Sequence, residues 1–394
     1  MLNGEDKSTN LNLSQFDIPG YVNGCFLEID KKVLSTALSH LQSVIERKNI
    51  IPILSNALLV MQNGQLCVSA TDMDILVSET ILTSASQDFS ITVNAHLFYE
   101  IVRKFDGQHK IKLSFTDGSD KYINLSCGNS SFDLPTLPAD EFPKLDDLKY
   151  TSKFKISSRE LKKMIDECKF AMANEEIRYN LSGIYLHPYE ASVRFVATDG
   201  HRLSMSQSDE VPSLENFAGI IIPRKTILEL RKIIDESAED IEFCFSENKI
   251  LFAGKHFSLF SKLIDAEFPE YETLIPISND IKIQTTTAEF SSAIDRVATI
   301  TNEKFKGIKF ILDATSLCIT ATDDIGNKAE EILMVKTEYT GRLELCFNYR
   351  YILDVMSAIK NDKVICSFKD PFSSVSIEDP SNKNFKCVIM PRRA

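Results

Sequence analysis

The chain reads as an α+β protein built from three tandem copies of one two-helix, multi-strand domain. Three observations predict this. The tripeptide Ala-Thr-Asp occurs at Ala70-Thr71-Asp72, Ala197-Thr198-Asp199 and Ala321-Thr322-Asp323, at intervals of 127 and 124 residues. One apolar pattern of helical spacing precedes each tripeptide and another follows it. Alternating, β-rich segments lie between, so whole units of sequence recur and not the tripeptide alone.

Each element has its own signal. In the first copy Asp30 precedes Leu34, Ala37, Leu38, Leu41 and Ile45, one face of a helix. In the second, Ser157 and Glu160 form an S-x-x-E capping box ahead of Leu161, Met164, Ile165 and Cys168. Thr286 and Glu289 repeat that relation ahead of Phe290, Ala293, Ile294 and Val297. The segments QLCVSATD, SVRFVATD and SLCITATD then alternate with period two, which predicts half-buried strands with Thr-Asp at a strand end or turn. The second helix runs through Leu97, Phe98, Ile101 and Phe105, through Ile227, Leu230 and Ile234, and through Ile352, Val355 and Ile359. The strands KIKLSF, DIEFCF and KVICSF follow.

Glu141-Phe142-Pro143 and Glu267-Phe268-Pro269 close the first two copies, and their prolines punctuate the junctions. The expected domains are 25–149, 150–276 and 277–394, each with two helices and roughly seven or eight short strands. Residues 1–24 fall outside the repeat. They are polar and Asn-rich, without the basic start and apolar stretch of a signal peptide, and are expected to be a loose extension or a mis-set start.

With 394 residues and 43% hydrophobic content there is material for three cores. No apolar run approaches the ~20 residues of a membrane span. Nine cysteines without a C-x-x-C pair predict buried thiols in a reducing cytoplasm, with no metal site. The net charge of −12 argues against nucleic acid until its distribution is considered. The helices expected at 31–48, 94–105, 158–173, 223–236, 287–300 and 348–360 carry 17 Lys and Arg against 11 Asp and Glu, leaving −18 for the rest. Helices sharing one surface would attract phosphates there; the plainer alternative is solvated helix faces.

Catalytic signatures are missing: no G-x-S-x-G, Walker A, G-x-G-x-x-G or H-E-x-x-H. The most enzyme-like stretch is Thr198-Asp199-Gly200-His201-Arg202. Because Thr-Asp recurs in the other copies without the histidine, a turn specialised in the second copy explains it better than a catalytic dyad. Neither catalysis nor a cofactor is expected.

At this point the residues point to a family. VATDGHRLSMS, IIPRKTILEL, SKLIDAEFPEYETLIP, TNEKFKGIKF and the terminal VIMPRRA, with IIPILSNALL and TLPADEFPKLDD in the first copy, closely resemble the bacterial replicative sliding clamp, the β subunit of DNA polymerase III. The likeness runs from about residue 25 to the end of the chain. It implies a DNA-clamp domain repeated three times, half of a six-domain ring that a head-to-tail homodimer closes. Helices would line the hole and sheets form the wall, with edge strands paired around the ring. Double-stranded DNA inside would be held through phosphates without sequence readout, so topological linkage would supply processivity. The implied partners are the polymerase III catalytic alpha subunit, the clamp-loader complex through its delta subunit, and other polymerases and repair proteins through short linear peptides. No membrane is involved.

Carried over by matched position, the DNA-facing residues are Lys48, Arg103, Arg178, Arg224, Lys225, Lys304, Lys306 and Lys309, to which charge and position add Arg47. The implied peptide pocket comprises Leu181, Thr198, Gly200, His201, Arg202, Leu203, Pro269, Leu274, Asn348, Tyr351, Ser374, Val388, Met390, Pro391 and Arg393. Phe132, Leu134 and Ile300 would form the apolar part of the dimer contact, with Glu330 and Glu331 as acids. The chain departs from the family pattern at His96, Leu97 and Glu175 near the DNA path, and at Thr273, Arg392 and Ala394 on the pocket rim. Asn129 and Ser131 stand where relatives can carry arginines, which would weaken ion pairing with Glu330 and Glu331. Two other readings remain: a monomeric or differently assembled peptide-binding scaffold, and a hydrolase using Asp199 and His201.

Overall fold

The computed structural model describes residues 26–46, 50–83, 85, 88–115, 121–143, 150–174, 176–211, 214, 217–234, 239–301 and 306–392. The extension expected at 1–24 lies outside these residues, as do Arg47, Lys48, Glu175, Lys304, Arg393 and Ala394.

Each copy contributes two helices and eight strands among the described residues. The first holds β1 (Phe26–Ile29), α1 (Lys31–Leu41), β2 (Asn56–Gln62), β3 (Gln65–Thr71), β4 (Ile75–Leu82), β5 (Phe89–Asn94), α2 (Ala95–Lys104), β6 (Ile111–Phe115), β7 (Tyr122–Cys127) and β8 (Ser130–Leu137). The second holds β9 (Ser152–Ser157), α3 (Ser158–Cys168), β10 (Gly183–Tyr189), β11 (Ser192–Thr198), β12 (Arg202–Gln207), β13 (Ile220–Pro223), α4 (Arg224–Ile233), β14 (Asp240–Phe245), β15 (Lys249–Ala253) and β16 (Phe257–Lys262). The third holds β17 (Ile281–Thr286), α5 (Thr287–Ala298), β18 (Gly307–Leu312), β19 (Ser316–Thr322), β20 (Lys328–Met334), β21 (Leu343–Asn348), α6 (Tyr349–Ala358), β22 (Lys363–Phe368), β23 (Val375–Glu378) and β24 (Phe385–Ile389).

Contacts divide the chain into two compact units, residues 1–159 with 228–263, and residues 160–227 with 264–394. In the first unit a twelve-stranded sheet runs β1-β6-β7-β8-β5-β2-β3-β4-β16-β15-β14-β9. Strands β4 and β16 pair antiparallel with Leu76 opposite Phe260, so copies one and two share one sheet. Asp30 caps α1 by accepting from the N–H groups of Lys32 and Val33, as its position predicts. Helix α1 buries Leu34, Ala37, Leu38 and Leu41, but ends seven residues before the expected position 48. Beyond it the chain continues as turns, which bury Val44 in place of Ile45. Helix α2 packs on α1 through Ala95, Phe98, Ile101 and Val102. Leu97, expected on that face, is instead exposed: two residues after Ala95 and one before Phe98, it points away from the arc those two share with Val102, although it lies four before Ile101.

In the second unit an eight-stranded sheet runs β13-β10-β11-β12-β24-β23-β22-β17, beside a four-stranded sheet β20-β19-β18-β21. Strands β12 and β24 pair with Leu203 opposite Val388, joining copies two and three as β4 and β16 join one and two. Helices α5 and α6 bury Phe290, Ile294, Val297, Ile352 and Val355 against Ile308, Phe310 and Leu312. The expected box at α5 is present: Thr286 Oγ1 accepts from the Glu289 N–H at 3.2 Å and donates to its carboxylate at 2.8 Å. Glu160 of α3, expected to cap with Ser157, uses its carboxylate to accept from the Asp209 N–H at 2.5 Å.

The eight described cysteines are free thiols, six of them buried. Among the described residues no helix is long and apolar enough to cross a membrane.

Candidate partner groove and DNA-facing cations

The three Ala-Thr-Asp tripeptides end β3, β11 and β19, and each aspartate builds the turn that follows. Asp72 Oδ1 accepts from the N–H groups of Asp74 and Ile75, Asp199 Oδ1 from those of His201 and Arg202, and Asp323 Oδ1 from those of Ile325 and Asn327. Such Asx turns satisfy backbone donors where no ladder reaches them. A left-handed residue sits in each turn: Met73 (φ 79°), Gly200 (φ 86°) and Gly326 (φ 95°). The Asp199 carboxylate is therefore occupied by backbone donors and by Arg202 Nε at 3.0 Å. The His201 ring lies over Tyr351 with centroids 6.3 Å apart. Asp199 and His201 do not form the side-chain dyad a hydrolase would need.

The second turn opens onto an apolar floor. Val196, Leu203, Met205, Tyr271 and Val388 form a buried cluster, with Tyr185, Phe268, Leu274 and Ile275 half-buried around it. The Met390 N–H donates to the His201 carbonyl at 2.9 Å, which carries β24 past the turn and leaves the Met390 side chain 41% exposed. Leu181 and Thr198 are buried beside this floor, and Pro269, Gly200 and His201 are exposed. Asn348 caps α6 by accepting from the Arg350 N–H at 3.1 Å. Burial, and then the nearby Asp199 carboxylate, raise the Tyr351 hydroxyl above its ordinary pKa. Ser374 and Pro391 are half-buried on the same unit.

Arg202 is the most engaged of the expected pocket residues. Its guanidinium donates to Asp199, to Asp354 Oδ2 at 2.5 Å and to the Phe170 carbonyl at 2.5 Å. It also lies 4.4 Å from the Tyr351 ring centroid and 5.3 Å from that of Phe170. With a side chain only 10% exposed, it builds the wall from within. No apolar, capping or turn pattern in the sequence marks Asp354 or Phe170. One signal was available for the first: an acid is the sixth residue of α2, α4 and α6, namely Glu100, Glu229 and Asp354.

The repeat supplies an internal comparison. Where β4 meets β16, the Lys262 N–H donates to the Asp74 carbonyl at 2.9 Å, the counterpart of Met390 and His201. There, however, Phe260 stands opposite Leu76, and it packs with Ile53, Leu54 and a buried Phe142 into a closed cluster. At the β12 and β24 junction the larger ring is replaced by Val388, and Phe268, the counterpart of Phe142, stays half-buried against Tyr185 at 4.7 Å. The first junction is filled by the Phe260 ring, and at the second the smaller Val388 takes its place.

The expected cations are spread over several elements. Arg103 closes α2, exposed, 2.7 Å from Glu100. Arg178 donates to the Asp199 carbonyl at 3.4 Å, and Nη1 lies where a Cβ on Gly200 would fall, 2.5 Å away. Arg224 opens α4 and reaches the Met172 carbonyl at 3.4 Å; burial and then the charge of Arg202 lower its pKa. Lys225 follows it, half-buried, and Lys306 precedes β18 at φ 43°. Lys309 differs. It alternates with Ile308 and Phe310, which face α5 and α6, so its side chain emerges on the opposite face of the sheet and pairs with Glu344 at 2.5 Å.

Among the dimer candidates, Phe132 is exposed on β8 and rests on Phe105 at 5.8 Å, while Leu134 is buried. Ile300 is half-buried against the core of copy three. Glu330 is exposed on β20, whereas Glu331 already accepts from Arg296 Nε at 2.9 Å, a bond that holds its carboxyl below the ordinary range. Along β8, residues Ser130–Pro135 pair with β7 on one side, and no described strand pairs with the other. Strand β20 pairs only with β19 among the described strands and exposes Ile332 and Met334.

Threefold repetition with strands shared across each junction defines a modular scaffold. Comparison with known proteins identifies which one. Family models of the DNA polymerase III beta subunit match in order along the chain: the N-terminal domain over residues 25–146, the central domain over 155–270 and the C-terminal domain over 272–393. The beta sliding clamp of Caulobacter vibrioides is 37% identical over 373 residues, covering 93% of this chain and 99% of its own. That of Escherichia coli is 32% identical over 367 residues with the same coverage. Among solved structures, a sliding clamp from Bartonella birtlesii bound to griselimycin aligns with a TM-score of 0.89 at 34% identity, over 94% of this chain and all of the other. Caulobacter crescentus pol III beta aligns with a TM-score of 0.85 at 36% identity, over 94% of this chain. The chain belongs to the DNA polymerase III beta subunit family, the bacterial beta sliding clamps. It is a DNA sliding clamp of the replicative polymerase and not itself an enzyme, with DNA and a polymerase as partners.

Proposed function

We propose that two copies of this chain close a ring around duplex DNA by pairing β8 of one protomer with β20 of the other. The two open strand edges carry this reading, because each exposes backbone donors and acceptors that a closed ring would satisfy. Phe132, Ile300 and the exposed Ile332 and Met334 supply the apolar contact, and Glu330 its free acid. Glu331 acts within its own chain through Arg296. Sedimentation tests this: a dimer at micromolar concentration is expected, and a strictly monomeric species contradicts it.

DNA is held by Arg103, Arg178, Arg224, Lys225 and Lys306, together with Arg47, Lys48 and Lys304, through phosphates alone. Contacts of that kind carry no sequence information and permit sliding. The three sequence domains are repeats of the ring, and the chain's 1–24 extension lies outside them.

The recess at the β12 and β24 junction takes short linear peptides of the polymerase alpha subunit, the clamp-loader delta subunit, and other polymerases and repair proteins. Its floor is apolar, and a few polar groups at its rim fix orientation, the usual composition of a peptide groove. Griselimycin, the ligand of the Bartonella clamp, would bind the same recess.

A further inference from the structure

We infer that Asp354 is a positioning residue of the groove, acting through Arg202 rather than by touching a bound peptide; this rests on the groove reading above. The inference starts from the repeat. The sixth residue of each second helix is acidic, and in the first unit Glu229 of α4 accepts from the Ser43 hydroxyl, which belongs to the preceding copy. Asp354 of α6 likewise reaches back into the preceding copy, where it meets the Arg202 guanidinium. The same helical position thus clips copy two to copy one and copy three to copy two, but only in the second unit does the clip hold a groove residue.

Arg202 depends on that clip. Its Nε is held by Asp199 and its Nη2 by the Phe170 carbonyl, so Asp354 takes the remaining corner, Nη1. Fixed on three sides, the planar guanidinium lies against the Tyr351 ring, and that ring lies beneath His201 on the exposed rim. Two carboxylates and a carbonyl hold the guanidinium at all three nitrogens, whereas without the Asp354 charge Nη1 loses its charge-assisted bond and the plane is held less firmly. Loss of the Asp354 charge would also leave Arg202 less compensated beside Arg224. Tyr351 and His201 would lose their common support, and the rim would no longer be set for a peptide before one arrives.

Calorimetric titration of the full-length protein with griselimycin tests this, using wild type, Asp354→Asn, Asp354→Glu and Met390→Lys. Asp354→Asn is expected to bind about tenfold more weakly, as loss of one charge-assisted hydrogen bond implies. Asp354→Glu restores the charge and is expected to recover binding. Sedimentation and retention on DNA should match wild type in both. Wild-type affinity in Asp354→Asn overturns the inference, and so does a Glu variant as weak as the Asn variant, since the lost contact would then be shape and not charge. Met390→Lys separates this from failure of the groove reading. If that exposed rim substitution leaves griselimycin binding unchanged, the groove is elsewhere.

Discussion

Gly200 directly follows its turn aspartate and Gly326 lies three residues beyond its own; both have positive φ and they differ in what surrounds them. A Cβ at Gly326 meets nothing within 4 Å, so Gly326→Ala is expected to cost about 1 kcal/mol of backbone strain and leave partner binding intact. At Gly200 the added Cβ would also meet Arg178 Nη1 at 2.5 Å, the end of an exposed side chain that can move aside. Urea denaturation should therefore show similar losses for the two variants, and griselimycin titration should show weaker binding for Gly200→Ala alone. A second residue-scale test concerns Glu167, whose carboxylate is buried, accepts from Ser206 at 2.5 Å and Asn382 at 2.9 Å, and has Lys163 and Asp379 nearby. Burial raises its pKa above the unfolded value. A raised acid binds more protons when folded, so its contribution is full below the unfolded pKa of about 4.3 and is lost as pH rises through the folded pKa. Glu167→Gln can keep both hydrogen bonds, and its melting temperature should exceed wild type at pH 8 and converge with it near pH 4. No gain at pH 8 would contradict this.

At the scale of elements, the junction strands decide which repeat becomes a binding surface. Phe260 fills the β4 and β16 junction, and the smaller Val388 stands at its counterpart. Val388→Phe should place the first junction's ring in the second and weaken griselimycin binding more than about tenfold, at a stability cost of about 1–3 kcal/mol because Val388 is buried. Ile332→Lys on the open edge of β20 should shift sedimentation from dimer toward monomer, since a charge on an edge strand discourages pairing. Much of this level was legible in the sequence. Period-three-to-four and period-two patterns located the six helices and the strands QLCVSATD, SVRFVATD and SLCITATD, because each element buries one face. What could not be read was the partner of each face. Leu97 looked apolar enough for the core, yet the arc that Ala95, Phe98 and Val102 share excluded it. Lys309, matched by position to the DNA-facing cations, lies in β18 on the face away from the helices, which the sequence alone did not reveal. Asp354 reaches Arg202 across 152 positions of sequence, a contact that no local pattern encodes.

For the whole molecule, the central claim is encirclement. The chain's charge of −12 makes tight equilibrium binding of DNA by attraction alone unfavourable, so topology must hold what affinity does not. Each protomer brings one open edge on β8 and another on β20, and two protomers pairing both would leave neither edge free. The same closure explains why the repeat is conspicuous in sequence while the DNA-facing residues are not: strand spacing recurs in every copy, but phosphate contacts need only a scatter of cations. Retention on DNA measures this most directly. Loaded by its cognate clamp loader onto a nicked circle, the protein should remain bound through gel filtration at raised salt, and it should be released when a restriction enzyme linearises the circle. Equal retention on circular and linear DNA would contradict encirclement.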